Sequence, residues 1–211
     1  MADVVMGLSA CAVTSGKSSH DLDFSKQPYT EQSMVLNGGT IKFRAYEGIV
    51  YVKNPIDAEY EVMNIYAPEQ YYQNGSIGGF TAETAPIFFA NQVDGYMPAK
   101  PAKPELKSLR GAADNAEKSP NTAAVALSKG YVVDQQGGVR TNCATGKTPA
   151  AIVDLKATVR YLKASSKVMS GNKNHFKWYP ERVACCLPYW VQAAIIWIMK
   201  PFASLGCSEG G

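Results

Sequence analysis

Histidine is nearly missing from this chain. Its 211 residues hold 2, which narrows the room for imidazole-based catalysis and for histidine-ligated metals. Charge of one sign is missing too. Lys and Arg number 21 against 18 Asp and Glu, so the formal charge of +3 makes no general field for nucleic acid. The 5 cysteines show no C-x-x-C spacing, and no H-x-x-x-H pair exists. Cys185 and Cys186 are adjacent, His175 lies upstream and Cys207 stands alone; none of this is a zinc pattern, and no metal or organic cofactor is expected. The apolar run Leu187-Pro-Tyr-Trp-Val-Gln-Ala-Ala-Ile-Ile-Trp-Ile-Met199 falls short of the ~20 residues of a membrane helix, so a tail anchor is not favoured. No internal repeat is visible. What remains is ordinary globular material, 46% apolar and 18% charged. The length suits one domain that buries about 70% of its unfolded surface.

The composition is uneven along the chain. All three tryptophans (Trp178, Trp190, Trp197) and three of the five cysteines lie beyond Gly171, where apolar periodicity is lost as well. At the other end, Leu8-Ser9-Ala10-Cys11 is similar to a bacterial lipobox whose cysteine would be lipidated after signal cleavage. Met1 to Gly7 supplies neither a basic start nor an apolar core of the usual ~7 to 15 residues. Two readings stay open. One is export, to the periplasm, the exterior or a lipid anchor at Cys11; the other is a disordered leader on a cytoplasmic protein. Residues 12–36, rich in Ser, Lys, Asp and Gln, are expected to form a flexible lead-in.

Between these ends the pattern alternates. Gly39–Arg44, Gly48–Lys53 and Glu59–Tyr66 read as half-buried strands, the second closed by Asn54-Pro55 and the third by Ala67-Pro68. Pro86-Ile-Phe-Phe-Ala90 is a short unbroken apolar run, as in a strand buried on both faces. Ser119-Pro120 predicts a helix start that Gly130 ends, and Tyr131-Val-Val133 the next strand. Thr148-Pro149 opens a second helix with Ile152, Leu155, Val159 and Leu162 along one stripe. The expected architecture is α/β: antiparallel edge strands leading into a doubly wound parallel sheet.

Two short motifs bear on chemistry. Gly206-Cys-Ser208-Glu-Gly210 fits the G-x-S-x-G pattern of a serine nucleophile elbow. That elbow works between a strand and a helix whose amides help hold the oxyanion; no helix follows here, so a chance match is the better reading. Asp94-Gly95 follows the buried strand. A glycine there allows a tight turn that aims backbone N–H groups at a developing negative charge, although on local evidence a plain strand-to-loop turn is the better reading.

Five segments, in order, resemble the bacterial tannase-like (subtype B) α/β-hydrolases, serine esterases of phenolic esters. They are Tyr51–Pro55, Met63–Pro68, Thr84–Pro98, Ala126–Val133 and Lys147–Leu162, together spanning roughly residues 37–170. The resemblance implies the N-terminal half of the hydrolase fold. It also implies a small phenolic ester substrate, no nucleic acid partner, and Gly95 as an oxyanion-hole donor. Asp94 departs from the family's Gly-Gly pair, and Gly138-Val-Arg140 matches a Gly-x-Arg-Gly loop that has lost its second glycine. The oligomeric state and the acyl and alcohol specificity are not legible.

The family's Asn-Gly-Thr-Ser-Ala-Gly-Gly elbow and its triad Asp and His have no counterpart. The genetic code offers a reason. Reading the codons of Lys173–Tyr179 one base later permits Lys-Ile-Ile-Ser-Asn-Gly-Thr, the start of that elbow. A shifted reading from Cys186 to Pro201 permits a helix and loop of the kind that follows it. Residues 171–211 are therefore expected to be an atypical tail in a shifted frame, and the chain an inactive, truncated hydrolase. The competing expectation is a non-catalytic, secreted or membrane-anchored binding protein on the same core.

Overall fold

The computed structural model describes residues 20–36, 38–55, 57–91, 100–107, 118–137 and 148–180. Among these residues eight strands and two α-helices follow in order: β1 (Thr30–Leu36), β2 (Gly39–Val50), β3 (Val62–Pro68), β4 (Pro86–Asn91), β5 (Leu106–Lys107), β6 (Ser119–Pro120), α1 (Thr122–Ser128), β7 (Val132–Gln136), α2 (Thr148–Ser165) and β8 (Asn172–Pro180). Six of them make one sheet in the order β1-β2-β3-β7-β4-β8. The pairs β1–β2, β2–β3 and β3–β7 are antiparallel, whereas β7–β4 and β4–β8 are parallel. The expected antiparallel edge leading into parallel strands is what forms.

The sheet has a helix on each face. Ile65, Ile87, Phe89 and Val132 pack with Leu155, Val159 and Leu162 of α2. The alternate residues Tyr66, Phe88, Ala90 and Val133 pack with Ala123, Ala126 and Leu127 of α1. Period 2 in the strands thus feeds two separate cores, and the Leu155/Val159/Leu162 stripe of α2 closes one of them.

Local chemistry moves several boundaries from where the sequence puts them. Gly39–Arg44 and Gly48–Val50 lie in one strand, which stops short of the expected Lys53, because the register shift between Tyr46 and Ile49 absorbs Glu47-Gly48 as a bulge. Ser119-Pro120 does not begin a helix: it pairs with Leu106–Lys107, and the Asn121 side chain caps α1 by accepting from Ala124 N at 2.9 Å. The strand read as Tyr131–Val133 continues through Asp134-Gln135-Gln136. Residues 30–36, inside the expected lead-in, are strand β1 at the sheet edge, where exposed positions take polar side chains freely. Beyond Gly171 the sheet continues into β8, in parallel register with β4.

Two contacts tie the periphery down. Arg44 makes a fork of hydrogen bonds to Glu69 (2.8 and 3.0 Å), and its guanidinium lies over the rings of Tyr72 (3.8 Å) and Tyr29 (4.5 Å). Gly130, at φ +82°, ends α1 where an added Cβ would lie 2.7 Å from the Ile77 carbonyl oxygen. The Tyr71 hydroxyl donates to the Gly130 carbonyl, and burial pushes that phenol up to about 12.

Gly130→Ala and Gly79→Ala separate strain from contact. Both glycines have positive φ, but nothing lies within 4 Å of a Cβ at Gly79. Each alanine takes a left-handed penalty of ~1–2 kcal/mol. The clash at Gly130 raises its loss to about 3 kcal/mol, a gap that urea unfolding midpoints will show.

Candidate functional site at the carboxyl ends of the parallel strands

Because β4, β7 and β8 are parallel, their carboxyl ends meet at one edge: Asn91 is in register with Gln136 on one side and Pro180 on the other. The antiparallel β3 brings its start to the same edge, where Gly137 N donates to Val62 O at 2.9 Å. The chain leaving β4 goes on to α1 on one face; the chain leaving β7 goes on to α2 on the opposite face. Where consecutive connections leave a parallel sheet toward opposite faces, a crevice opens above the strand ends, and α/β proteins bind ligands there. Asp94-Gly95 follows β4 in sequence and Gly138-Val-Arg140 follows β7. Asp94, Gly95, Gly138 to Arg140, Cys11 and everything beyond Pro180 lie outside the described residues.

One end of the segment that carries Gly95 is the end of β4; its other end is held by a polar network on the α1 face. Asn64 accepts from Gly48 N (2.9 Å) with its side-chain oxygen and donates to Ala102 O (3.4 Å) with its amide. The Tyr66 hydroxyl is shared between Glu47 (3.1 Å) and Ala102 O (3.4 Å), and Lys103 reaches the other Glu47 oxygen at 2.6 Å. Asn121 N donates to Glu105 O at 3.0 Å, and its side-chain amide donates to Lys103 O at 2.7 Å. Burial, and then the negative charge of Glu47, push the Tyr66 phenol well above its ordinary range, so it keeps its proton as a donor. The bulge in β2 is what presents Gly48 and Glu47 to this network.

On the α2 face the same edge carries a buried polar stripe. Gln136 and Thr158 stand beside the Tyr51 hydroxyl, and Asp154 and Glu61 are close enough for their charges to act on it. Burial first, then those carboxylates, raise the Tyr51 phenol. Next to Gln136 on this face is Asp134, in register with Ile65 and Phe89 and fully buried. Among the described residues neither of its carboxyl oxygens has a hydrogen-bond partner, and burial holds its pKa well above the usual carboxylate range. Sequence reading missed Asp134 because Asp-Gln-Gln reads as the loop after Val-Val; the strand's continuation toward the crevice is a pairing fact, set by β3 and β4.

The described strand ends carry Asn91, Gln136 and Pro180, none of them a nucleophile. Among the described residues no cluster of three or more His, Cys, Asp or Glu is placed to hold a metal ion. No helix among them is long and apolar enough to cross a membrane. A cleft of about 530 Å³, bordered by Tyr72, Glu83, Lys167 and Lys173, lies at the amino ends of β4 and β8, away from the crevice.

A mixed sheet with a parallel centre, a helix on each face and a crevice above the parallel strand ends defines an α/β protein. More particularly, the chain is tannase-like. It is 45% identical to the Fusobacterium nucleatum tannase over 76% of its own length and 33% of that chain, with a TM-score of 0.67. A Lactobacillus plantarum tannase is 29% identical over 76% of this chain and 34% of its own, with a TM-score of 0.62. A tannin acyl hydrolase solved with ethyl gallate is 25% identical over 82% of this chain and 40% of its own, with a TM-score of 0.60. The chain thus spans about a third of the length of the solved tannases it matches. No protein-family model and no curated protein matches it.

Tyr66→Phe removes the hydroxyl that joins Glu47 to the returning segment. The expected loss is about 1.5 kcal/mol, with faster amide exchange at residues 102–105 and little change at β4. Hydrogen exchange read by mass spectrometry distinguishes this local loosening from a general one.

Proposed function

We propose that the chain carries the oxyanion side of a phenolic-ester hydrolase and that, by itself, it turns over no ester. The observation that carries the reading is the position of β4: central, parallel to both neighbours, and followed by the segment that bears Gly95 before α1. In an α/β-hydrolase the backbone N–H between a sheet strand and the first helix completes the oxyanion hole, and the nucleophile sits on the turn after a neighbouring strand. Strand β8, beside β4, is the counterpart of that neighbour. The fold is then the N-terminal half of an α/β-hydrolase.

In the intact enzyme a serine attacks the ester carbonyl while histidine takes its proton and an aspartate orients the imidazole. The tetrahedral oxyanion is held by N–H donors, one of them from Gly95. The Asp94 carboxylate must point away from that oxygen, since a negative charge beside it opposes its formation. Binding of ethyl gallate and of 3,4-dihydroxybenzoate by tannin acyl hydrolases supports a phenolic acyl group as substrate. The 211 residues hold no Asn-Gly-Thr-Ser-Ala-Gly-Gly elbow. Without the triad, at most ~10³ to 10⁴-fold over water is left to binding and the oxyanion hole.

The missing elbow is best explained by a shift of reading frame around codons 172–186. Sequencing the gene through that stretch tests it. The expected finding is one-base changes that restore Asn-Gly-Thr-Ser; a clean reading in the present frame removes the idea.

Purified chain mixed with ethyl gallate is expected to release no gallate above the buffer rate. Measurable turnover would overturn the inactive reading. Saturable binding without turnover, followed by calorimetry, would favour a non-catalytic binding protein on this core.

A further inference from the structure

Asp134 is an anomaly that the ester-hydrolase reading does not use. Its side chain is completely buried, on the middle strand of three, and both oxygens are without partners among the described residues. Ile65 on one side and Phe89 on the other share its register and its face, and both belong to the core closed by Leu155, Val159 and Leu162. A carboxylate ion in such a place lacks hydration and any compensating charge; a neutral carboxylic acid there lacks only hydrogen bonds.

We propose that Asp134 makes this sheet acid-stabilised: the β7–α2 core closes around the neutral carboxyl, and loss of the proton loosens that core beside the crevice. The other titratable groups on this face give the ion no help. Tyr51 at the end of β2, Glu61 ahead of β3 and Asp154 on α2 gather around the Tyr51 hydroxyl, and two of the three are carboxylates. Tyr161, also on α2, is a buried phenol whose own ionisation is pushed up to about 12. Lys163, farther along α2, lies over the Phe176 ring on β8 at 6.0 Å. Burial alone accounts for the raised pKa of Asp134, with no charged neighbour contributing.

The direction of the pH dependence follows from which state holds the proton. An unfolded aspartate ionises near ~3.9, whereas the folded one stays protonated well above that. The folded state therefore binds one more proton through the window between the two values. Stability is full below the unfolded value and is lost as pH rises toward the folded one, by about tenfold in the folded-to-unfolded ratio per pH unit. Asp21 and Asp23 are shifted the other way by hydrogen bonds. Their contribution is lost only in acid, below the range used here.

The experiment is urea unfolding of the full chain from pH 5 to pH 8, beside Asp134→Asn and Asp134→Leu. The difference between the parent profile and either variant should change by about tenfold per pH unit until the folded carboxyl ionises and then level off, the variants being the more stable at pH 8. A parent chain that unfolds cooperatively at pH 5 and not at pH 8 also supports the proposal. Parallel profiles overturn it, as does a parent chain with no transition at either pH. Infrared spectra of the parent chain give a readout that needs no variant. A buried protonated carboxylic acid carbonyl band at pH 6 that disappears in Asp134→Asn supports the proposal. If no such band exists in the parent chain, the proposal is wrong. None of these readouts involves ester turnover, so failure here leaves the hydrolase reading standing, and the reverse.

Discussion

The arrangement turns on one short strand that cannot face water on any side. Pro86–Asn91 presents Ile87 and Phe89 to one face and Phe88 and Ala90 to the other, all buried. Fully covering each large side chain is worth ~1.5 to 3 kcal/mol. Covering both faces takes a helix on each, and satisfying both backbone edges takes a strand on each. The connection through α1 covers one face before returning as β7. The connection through α2 covers the other before returning as β8 on the far side of β4. The chain must switch faces between those crossovers, and the switch is what opens the crevice above β4. The candidate site is thus a consequence of how one apolar strand is buried.

Around this centre, polar contacts decide where loops start and stop. The bulge at Glu47-Gly48 turns two side chains of β3, Asn64 and Tyr66, into anchors for the segment after residue 100. Arg44, held by Glu69 and covered by two tyrosine rings, fixes the region after β3 in a comparable way. In both places a charged group is paired, and long side chains are ordered against aromatic surface. Asp134 is the contrast: it is a charge-capable group given burial without pairing, at a depth where pairing would have needed a partner on β3, β4 or α2. The positions beside it are Ile65 and Phe89.

The sequence makes the layer architecture legible because hydrophobic period is a strong signal over long segments. The apolar Ile87-to-Ala90 run and the Leu155/Val159/Leu162 stripe mark the buried strand and the helix that covers it. Element ends are less legible. Asn121 outcompetes Ser119-Pro120 as a cap because Pro120 sits in a two-residue strand pair, a contact between residues far apart in sequence. The polar composition of residues 30–36 conceals an edge strand, since only pairing with β2 identifies it. The same limit hides Asp134, whose burial comes from strands that approach from elsewhere in the chain. Five ordered segments were enough to recognise the resemblance to tannases without a nucleophile, base or orienting acid in hand, because they include parts of β3, β4, β7 and α2.

Strand β8 poses the remaining question of how a segment without the elbow motif fills a place beside β4. Its described residues meet that slot with backbone hydrogen bonds in parallel register, a way in after α2, and an apolar contact with the core. Gly171 provides the way in, at φ +121°, where a Cβ would come within 3.0 Å of Ile87. Its N–H is bound by Ala82 O and that of Asn172 by Ala85 O. Phe176 supplies the apolar contact, in register with Ile87. A strand slot defined mainly by its neighbours accepts many sequences, whereas a nucleophile elbow accepts very few, since it needs a particular side chain on a strained turn. A shift of frame at this point would therefore leave the sheet standing while removing the chemistry.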